Sequence, residues 1–126
     1  MKSIIKVVCG IIRKDDKIFI ARRKHEKNLG GYWEFPGGKL EDGEEPITAL
    51  QRELFEELGM KVGDLKHFGQ HLHHYDGYSI ELIAISCVFE EALFQMTDHD
   101  EYAFVKREEL VKYSLAPADI YFVDLI

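Results

Sequence analysis

The segment 38–60, GKLEDGEEPITALQRELFEELGM, contains the side chains whose types and spacing could do chemistry. Glu53, Glu56 and Glu57 follow Arg52 within it. On a helix with about 100° per residue, Glu57 lies about 40° from Glu53 on one side and Glu56 about 60° on the other. Carboxylates gathered on such an arc repel one another unless cations neutralise them. Hard divalent cations such as Mg²⁺ prefer oxygen-rich surroundings of this kind, so the segment predicts a metal site.

A helix over residues 46–58 is predicted to position these carboxylates. Pro46 suits the first helical turn, and Gly59 suits the C-terminal cap because glycine readily adopts a left-handed conformation. The apolar residues fall beside the carboxylates, on an arc between about 60° and 140°: Ile47, Leu50, Leu54 and Leu58. One side of the helix is therefore expected to pack on a core, while the adjoining side presents the acids.

Hairpins dominate the rest of the chain. Alternating or β-branched runs predict strands at residues 3–12, 17–22, 32–35, 64–74, 78–89 and 101–105. The Pro36-Gly37-Gly38 segment is expected to end the strand 32–35, and residues 90–100 are expected to form an exposed acidic loop. Two short helices are predicted at 106–113 and 117–125. This order of elements predicts an α/β fold, with a mixed sheet carrying helices on its faces.

Bulk properties narrow the class of protein. A length of 126 residues predicts a single domain, spanning residues 1–126. The net charge of −7 argues against binding to a nucleic acid polymer. A local basic patch, formed by Arg22, Arg23, Lys24 and Lys27, still allows a small anionic substrate. No apolar run reaches membrane-spanning length and no signal-peptide pattern is present, so we expect a cytoplasmic protein with no membrane partner.

The two cysteines, Cys9 and Cys87, each lie in apolar, β-branched surroundings. This setting predicts buried free thiols and no disulfide.

The segment around the helix resembles the Nudix box. Gly38, Glu44 and the run RELFEELGM at 52–60 match every fixed position of that signature. The segments IFIARR (18–23), WEFPGGKLE (33–41) and LAPAD (115–119) are similar to the MutT-like branch of the family. The resemblance extends over most of the chain. It implies a Nudix-type α/β/α sandwich with a mixed β-sheet, and hydrolysis of a diphosphate linked to a further group.

The resemblance also implies residue roles. A Mg²⁺ site, open to Mn²⁺ as a substitute, is implied at the Gly37 carbonyl and at the carboxylates of Glu53, Glu56 and Glu57. The implied catalytic residues are Lys39, Glu44, Arg52 and Glu53. Arg52 would orient Glu53 through an ion pair, while Lys39 and Glu44 would support the loop and the attacking water. One more carboxylate often comes from the loop before the last strand, and here Asp98, Asp100 and Glu101 are all candidates.

Substrate contacts are implied at Arg23, Glu34, Phe35 and Asp119. Arg23 matches a phosphate-contacting arginine, or else is a solvated charge at a strand end. Phe35, with the nearby Tyr32 and Trp33, could stack on a base or equally belong to the core, and core packing is the expectation for Trp33. Asp119 stands where MutT has asparagine, and an ionised aspartate only accepts hydrogen bonds, which favours base edges carrying N–H donors. The alternative for Asp119 is a helix cap.

The predicted function is Mg²⁺-dependent hydrolysis of a nucleoside triphosphate to monophosphate and pyrophosphate. The expected substrate is 8-oxo-dGTP or a cytidine triphosphate, as in sanitation of the nucleotide pool. A dinucleoside polyphosphate or nucleotide sugar is the alternative substrate. A non-catalytic nucleotide-binding module is a third possibility, although such a protein would be expected to lose box glutamates. The sequence leaves the base, the sugar, the oligomeric state and the biological role open, and a monomer is compatible with it.

Overall fold

The computed structural model describes residues 3–126, in which seven strands form one mixed sheet. The strands are β1 (Ser3–Lys14), β2 (Lys17–Arg23), β3 (Trp33–Glu34), β4 (Gly37–Lys39), β5 (Met60–Tyr75), β6 (Tyr78–Ala92) and β7 (His99–Lys106). The helices are α1 (Pro46–Leu58), α2 (Pro117–Ile120) and two 3₁₀ helices, Arg107–Lys112 and Val123–Leu125.

Strand β1 is the centre of the sheet, and the sheet divides beside it. On one edge β1 pairs in parallel with β6 along almost its whole length, and β5 lies outside β6. On its other edge β1 pairs with β2 at Arg13 and Lys14, but with β4 at Val7–Cys9. β2 in turn pairs with β3 and β7. The division leaves room for a cleft next to the first half of β1.

Both faces of the sheet are covered by helices. Along β1, Val8 and Ile12 join the core beneath α1, whereas Cys9 and Ile11 join the core beneath the C-terminal helices. This alternation follows from the two-residue repeat of a strand, and it explains why β1 is apolar on both faces. The predicted α/β/α sandwich is confirmed.

The helix α1 has the predicted bounds. Pro46 is in its first turn, and Gly59 ends it in the left-handed region at φ 59° and ψ 35°, with its N–H donating to Leu54 and Phe55 carbonyls. Ala49, Leu50, Leu54 and Leu58 are completely buried. The predicted apolar stripe therefore fixes which side of α1 the carboxylates can occupy.

One local prediction is incomplete and another is wrong in part. The strand before Pro36 ends at Glu34 as predicted, but Gly37–Lys39 forms an additional strand, β4, against β1. Residues 90–100 are not all loop, since β6 continues to Ala92 and β7 begins at His99. The two predicted C-terminal helices are present, but the first is a 3₁₀ helix and the second is divided into α2 and a 3₁₀ turn.

Cys9 and Cys87 are buried and free, as predicted. Within residues 3–126, no helix is both long enough and apolar enough to span a membrane.

Candidate active site

A cleft of about 360 Å³ opens where the sheet divides beside β1. Its floor includes Val7, Val8 and Cys9 of β1. The polar and charged residues that line it are Arg23, Asn28, Glu34, Lys39, Glu53, Tyr75, Glu57, Asp98 and Asp119. A volume of this size suits one small molecule.

Gly37 and Gly38 bring β4 unusually close to its neighbours. A Cβ on Gly37 would run into the Val8 carbonyl, and a Cβ on Gly38 would collide with the Glu53 carboxylate. At Gly37 the obstacle is backbone, so only glycine allows β4 to pair with β1, and at Gly38 any side chain would push the Glu53 carboxylate away from the β4 backbone. The glycine turn and the helix carboxylate are therefore one structural unit.

Arg52 organises the acids of α1. Its Nε and Nη2 donate to the two oxygens of Glu44, at 2.9 Å each. Its Nη1 donates to Glu53 Oε1 at 3.0 Å and to Glu56 Oε2 at 3.2 Å, while Nη2 also reaches the Lys39 carbonyl at 3.2 Å. The planar guanidinium thus ties the helix to the loop that precedes it.

Hydrogen bonds from Arg52, joined by the Glu41 amide, lower the pKa of Glu44 to about 2. The folded-state pKa is below the ordinary value of 4.5, so ionised Glu44 stabilises the fold above about pH 4.5. This contribution is lost as the pH falls toward 2.

We predict that Glu44→Gln flattens the acid limb of a plot of unfolding free energy against pH. Glu108→Gln, at an exposed site, is the control, and an unchanged acid limb in Glu44→Gln would contradict the assignment.

Glu57 is the most buried of the three acids on α1. Its side chain is buried, and Oε2 has no hydrogen-bond partner within residues 3–126. Burial raises the pKa of Glu57 to about 10, and the neighbouring Asp98, Glu34 and Glu53 act in the same direction. So many acids around one buried carboxyl demand either a proton or a cation.

Asp98 is the loop carboxylate that reaches the cleft. It lies next to Glu57, and Lys27 Nζ approaches its Oδ1 at 3.2 Å. Asp100 and Glu101 instead pair with Arg22, at 2.8 and 3.2 Å, and do not line the cleft. The choice left open by the sequence is thereby narrowed to Asp98.

Arg23 and Glu34 form a second polar group in the cleft. Arg23 Nε donates to the Asn28 carbonyl at 2.8 Å, and Nη1 lies 3.4 Å from Glu34 Oε2. That same oxygen is 2.7 Å from Nε2 of His99, which is completely buried. Arg23 is therefore held in the cleft and is not a freely solvated charge.

Asp119 is bonded across the fold and does not cap a helix. Its Oδ2 accepts a hydrogen bond of 2.8 Å from the backbone N–H of Phe35, and both residues line the cleft. The first turn of α2 has no side-chain cap, so the helix-cap alternative is wrong. Burial, then the charge of Glu34, raises the pKa of Asp119 well above its ordinary value, although the Phe35 amide and Arg23 oppose this.

The aromatic residues near the cleft are mostly committed to packing. Phe35 is only 2% exposed, so it reaches the cleft as part of the core and has little free ring surface for stacking. Trp33 packs edge-on against Tyr113 at 5.0 Å, in line with the predicted core role.

Comparison with known proteins identifies the family. A model described as a NUDIX domain matches residues 7–125. The chain belongs to the Nudix family. Membership makes it a hydrolase of phosphoanhydride bonds, a class that generally uses a divalent metal ion.

Several relatives of this Nudix chain are named for an activity. A CTP pyrophosphohydrolase of Escherichia coli K12 is 38% identical over 94% of this chain and 87% of its own. An 8-oxo-dGTP diphosphatase of Proteus vulgaris is 50% identical over 48% of this chain, and that match spans about half of the relative (55%). Among solved structures, the E. coli ORF135 protein superposes with a TM-score of 0.81 at 37% identity, covering 98% of this chain and 88% of that one.

The Nudix-box acids are neighbours but do not form a preorganised metal-binding site. Glu53 and Glu57 line the cleft together with Gly37, but Glu56 is exposed and bonded to Arg52. Burial raises the pKa of Glu53, against the opposing effect of Arg52. In the described part of the chain, no three His, Cys, Asp or Glu side chains already converge on a single point. The unpartnered Glu57 oxygen and the surrounding acids nevertheless fit the demands of a divalent cation.

Two residues of this Nudix site are absent from the sequence predictions: Tyr75 lines the cleft, and the buried His99 supports the lining residue Glu34 from behind. In the sequence His99 lies between acidic residues, within the segment predicted as an exposed loop. In the structure it is the first residue of β7 and is completely buried. Tyr75 is the last residue of β5, beside the turn at 76–77. Neither position carries a local sequence signal, because both depend on pairing between strands.

Proposed function

We propose that this Nudix hydrolase cleaves a nucleoside triphosphate to the monophosphate and pyrophosphate with Mg²⁺, with CTP or 8-oxo-dGTP as the preferred substrate. One observation carries the proposal: the same small cleft is lined by the box acids Glu53 and Glu57 and by Arg23 and Asp119. The names of the relatives, a CTP pyrophosphohydrolase and an 8-oxo-dGTP diphosphatase, support the same substrate class. The cleft volume of about 360 Å³ favours one nucleotide over a dinucleoside polyphosphate.

The cation would be held by Glu53, Glu56 and Glu57 with the Gly37 carbonyl, and Asp98 is an additional candidate. Mn²⁺ is the expected substitute. Bound Mg²⁺ would screen the phosphate charge and lower the pKa of water. Glu57 gains most from this arrangement, because in the metal-free protein its buried carboxyl has only a proton to neutralise it.

The chain's own residues position the reactants. Arg52 holds Glu53 at 3.0 Å, and the close approach of Gly38 limits where that carboxylate can move. Glu53 then orients the attacking water and accepts its proton, a role that its raised pKa favours. Arg23 binds phosphate oxygens, while Lys39 and Glu44 fix the loop. Water attacks the β-phosphorus, the bond to the α,β-bridging oxygen breaks, and that oxygen leaves with the monophosphate.

Asp119 is proposed to contact the edge of the base. Its Oδ2 is used by the Phe35 amide, and in residues 3–126 Oδ1 has no hydrogen-bonding protein partner. As a carboxylate, Oδ1 accepts from N–H groups of guanine or cytosine; as a carboxylic acid it could also donate. Burial favours the neutral acid.

We predict that Asp119→Ala lowers kcat/KM most for the best nucleotide and least for dTTP. Loss of one hydrogen bond to the base should cost about 1–3 kcal/mol, or about 5- to 150-fold. The measurement compares CTP, dCTP, 8-oxo-dGTP, dGTP and dTTP, with product analysis, in the parent and in the variant. Asp119→Asn separates the two protonation states, because an amide retains activity if the neutral acid is the working form.

Asp124→Ala, at an exposed position in the last 3₁₀ helix, is the matched control and should leave all five rates unchanged. An equal loss for every nucleotide in Asp119→Ala would make Asp119 structural. Failure of all five nucleotides to release pyrophosphate in the parent would overturn the proposed function itself.

A further inference from the structure

The segment that carries Asp119 is held by backbone hydrogen bonds to β3, by the bond between Asp119 and the Phe35 amide and, from β5, by a tyrosine hydroxyl. The backbone N–H of Trp33 in β3 donates to the Ser114 carbonyl, and the Trp33 carbonyl accepts from the Ala116 amide, both at 2.8 Å. From the opposite side of the cleft, the Tyr75 hydroxyl of β5 accepts a hydrogen bond of 3.1 Å from the Ala118 amide. Ala118 immediately precedes Asp119, so this bond acts next to the proposed base contact.

The Ala118 amide needs a partner from outside its own helix. The first N–H groups of a helix have no intrahelical acceptor, and a side chain at the N-cap usually satisfies one of them. Here the N-cap is Ala116, which has no side-chain acceptor, and α2 is only 4 residues long. The Tyr75 oxygen supplies from a distant strand what the N-cap residue cannot supply.

Tyr75 is well suited to hold a position. Its ring stacks on Tyr78 with a centroid distance of 5.3 Å and an interplanar angle of 20°, and it meets His73 edge-on at 4.6 Å. The ring lines the same cleft as Asp119. Burial, more than any other cause, raises the pKa of Tyr75, which keeps the phenol neutral. A rigid, neutral side chain loses little further entropy in making the bond.

We propose that Tyr75 is a positioning residue: its hydroxyl fixes α2 so that Asp119 meets the edge of the base, and it thereby sets base preference. This inference rests on the base contact proposed above for Asp119. The Tyr75 hydroxyl bonds the Ala118 amide, whereas Arg23 is bonded by the Asn28 carbonyl and Glu34, and Glu53 is bonded by Arg52. Removal of the Tyr75 hydroxyl should therefore raise KM and narrow the preference among bases, with kcat little changed.

The test is a double-mutant cycle between Tyr75→Phe and Asp119→Ala. Tyr75→Phe keeps the stacked ring and removes only the hydroxyl. It should lower kcat/KM for the best nucleotide by about 2- to 10-fold, mainly through KM, with a smaller effect on dTTP. In the Asp119→Ala background the same change should alter kcat/KM by less than about twofold, because the group that it positions is absent. Tyr102→Phe, which removes a hydroxyl on the α1 side of the sheet, should alter neither parameter.

The outcomes separate two failures. If Asp119→Ala is base-selective but Tyr75→Phe causes the same loss in both backgrounds and for every nucleotide, Tyr75 does not position Asp119, and the base contact stands. If Asp119→Ala is itself unselective, the base contact fails and the role of Tyr75 fails with it. Thermal unfolding of each variant establishes that the comparison is made on folded protein.

Discussion

Glu57→Gln is expected to remove most metal-dependent turnover while the protein stays folded. The change keeps the shape of the side chain but removes the charge that a divalent cation needs. In the metal-free protein the pKa of Glu57 is about 10, so the buried group is already neutral and an amide replaces it at little cost to the fold. Since loss of a residue that merely supports a metal ligand costs about 10- to 100-fold, we expect a loss of about 100-fold or more here.

The experiment measures Mg²⁺-dependent pyrophosphate release and the thermal midpoint of each protein with and without Mg²⁺. Mg²⁺ should raise the midpoint of the parent but not that of Glu57→Gln. Glu91→Gln, an exposed glutamate paired with Lys61 at 3.7 Å, is the control and should behave like the parent. Near-normal turnover in Glu57→Gln would contradict the assignment of Glu57 as a metal ligand.

Arg52→Ala is expected to lower kcat/KM by about 10- to 100-fold for every nucleotide. Arg52 is the shared partner of Glu44, Glu53 and Glu56, so its loss releases the orientation of Glu53 and leaves the acids uncompensated. The free energy of unfolding should also fall, because the loop before α1 loses its bond to the helix. Both effects are measured on the same preparation, by steady-state kinetics and chemical denaturation.

Arg52→Lys distinguishes geometry from charge. Lysine restores the charge but cannot bond both oxygens of Glu44 and Glu53 Oε1 together, so it should recover stability more than turnover. Arg107→Ala, at an exposed site outside the cleft, is the control and should change neither turnover nor stability. Full recovery of turnover in Arg52→Lys would show that charge alone matters.

The parts of this molecule that the sequence predicts are those set by neighbouring residues. The bounds of α1 follow from Pro46, Gly59 and the spacing of its leucines. The hairpin of β1 and β2 likewise follows from the turn at 15–16 between two apolar runs. For the acids of α1, the helical repeat alone brings them to one side of the helix.

The parts that the sequence misses depend on contacts between distant segments. β4 exists because Gly37 passes close to Val8, a contact that no local pattern reveals. Asp98 faces the cleft while Asp100 faces Arg22, and a register shift between β2 and β7 at Arg22 and Arg23 accompanies this choice. The bond between Asp119 and the Phe35 amide joins residues 84 positions apart, so only the folded chain could distinguish it from a helix cap.

Hydrolysis of CTP in ¹⁸O-labelled water tests the central account most directly. If water attacks the β-phosphorus of a triphosphate held by Arg23 and by a Mg²⁺ ion on the box acids, mass spectrometry will find one ¹⁸O in pyrophosphate and none in CMP. The incorporation should require Mg²⁺ and should be nearly absent in Glu57→Gln. Label in CMP, or release of labelled orthophosphate in place of pyrophosphate, would contradict the proposed attack.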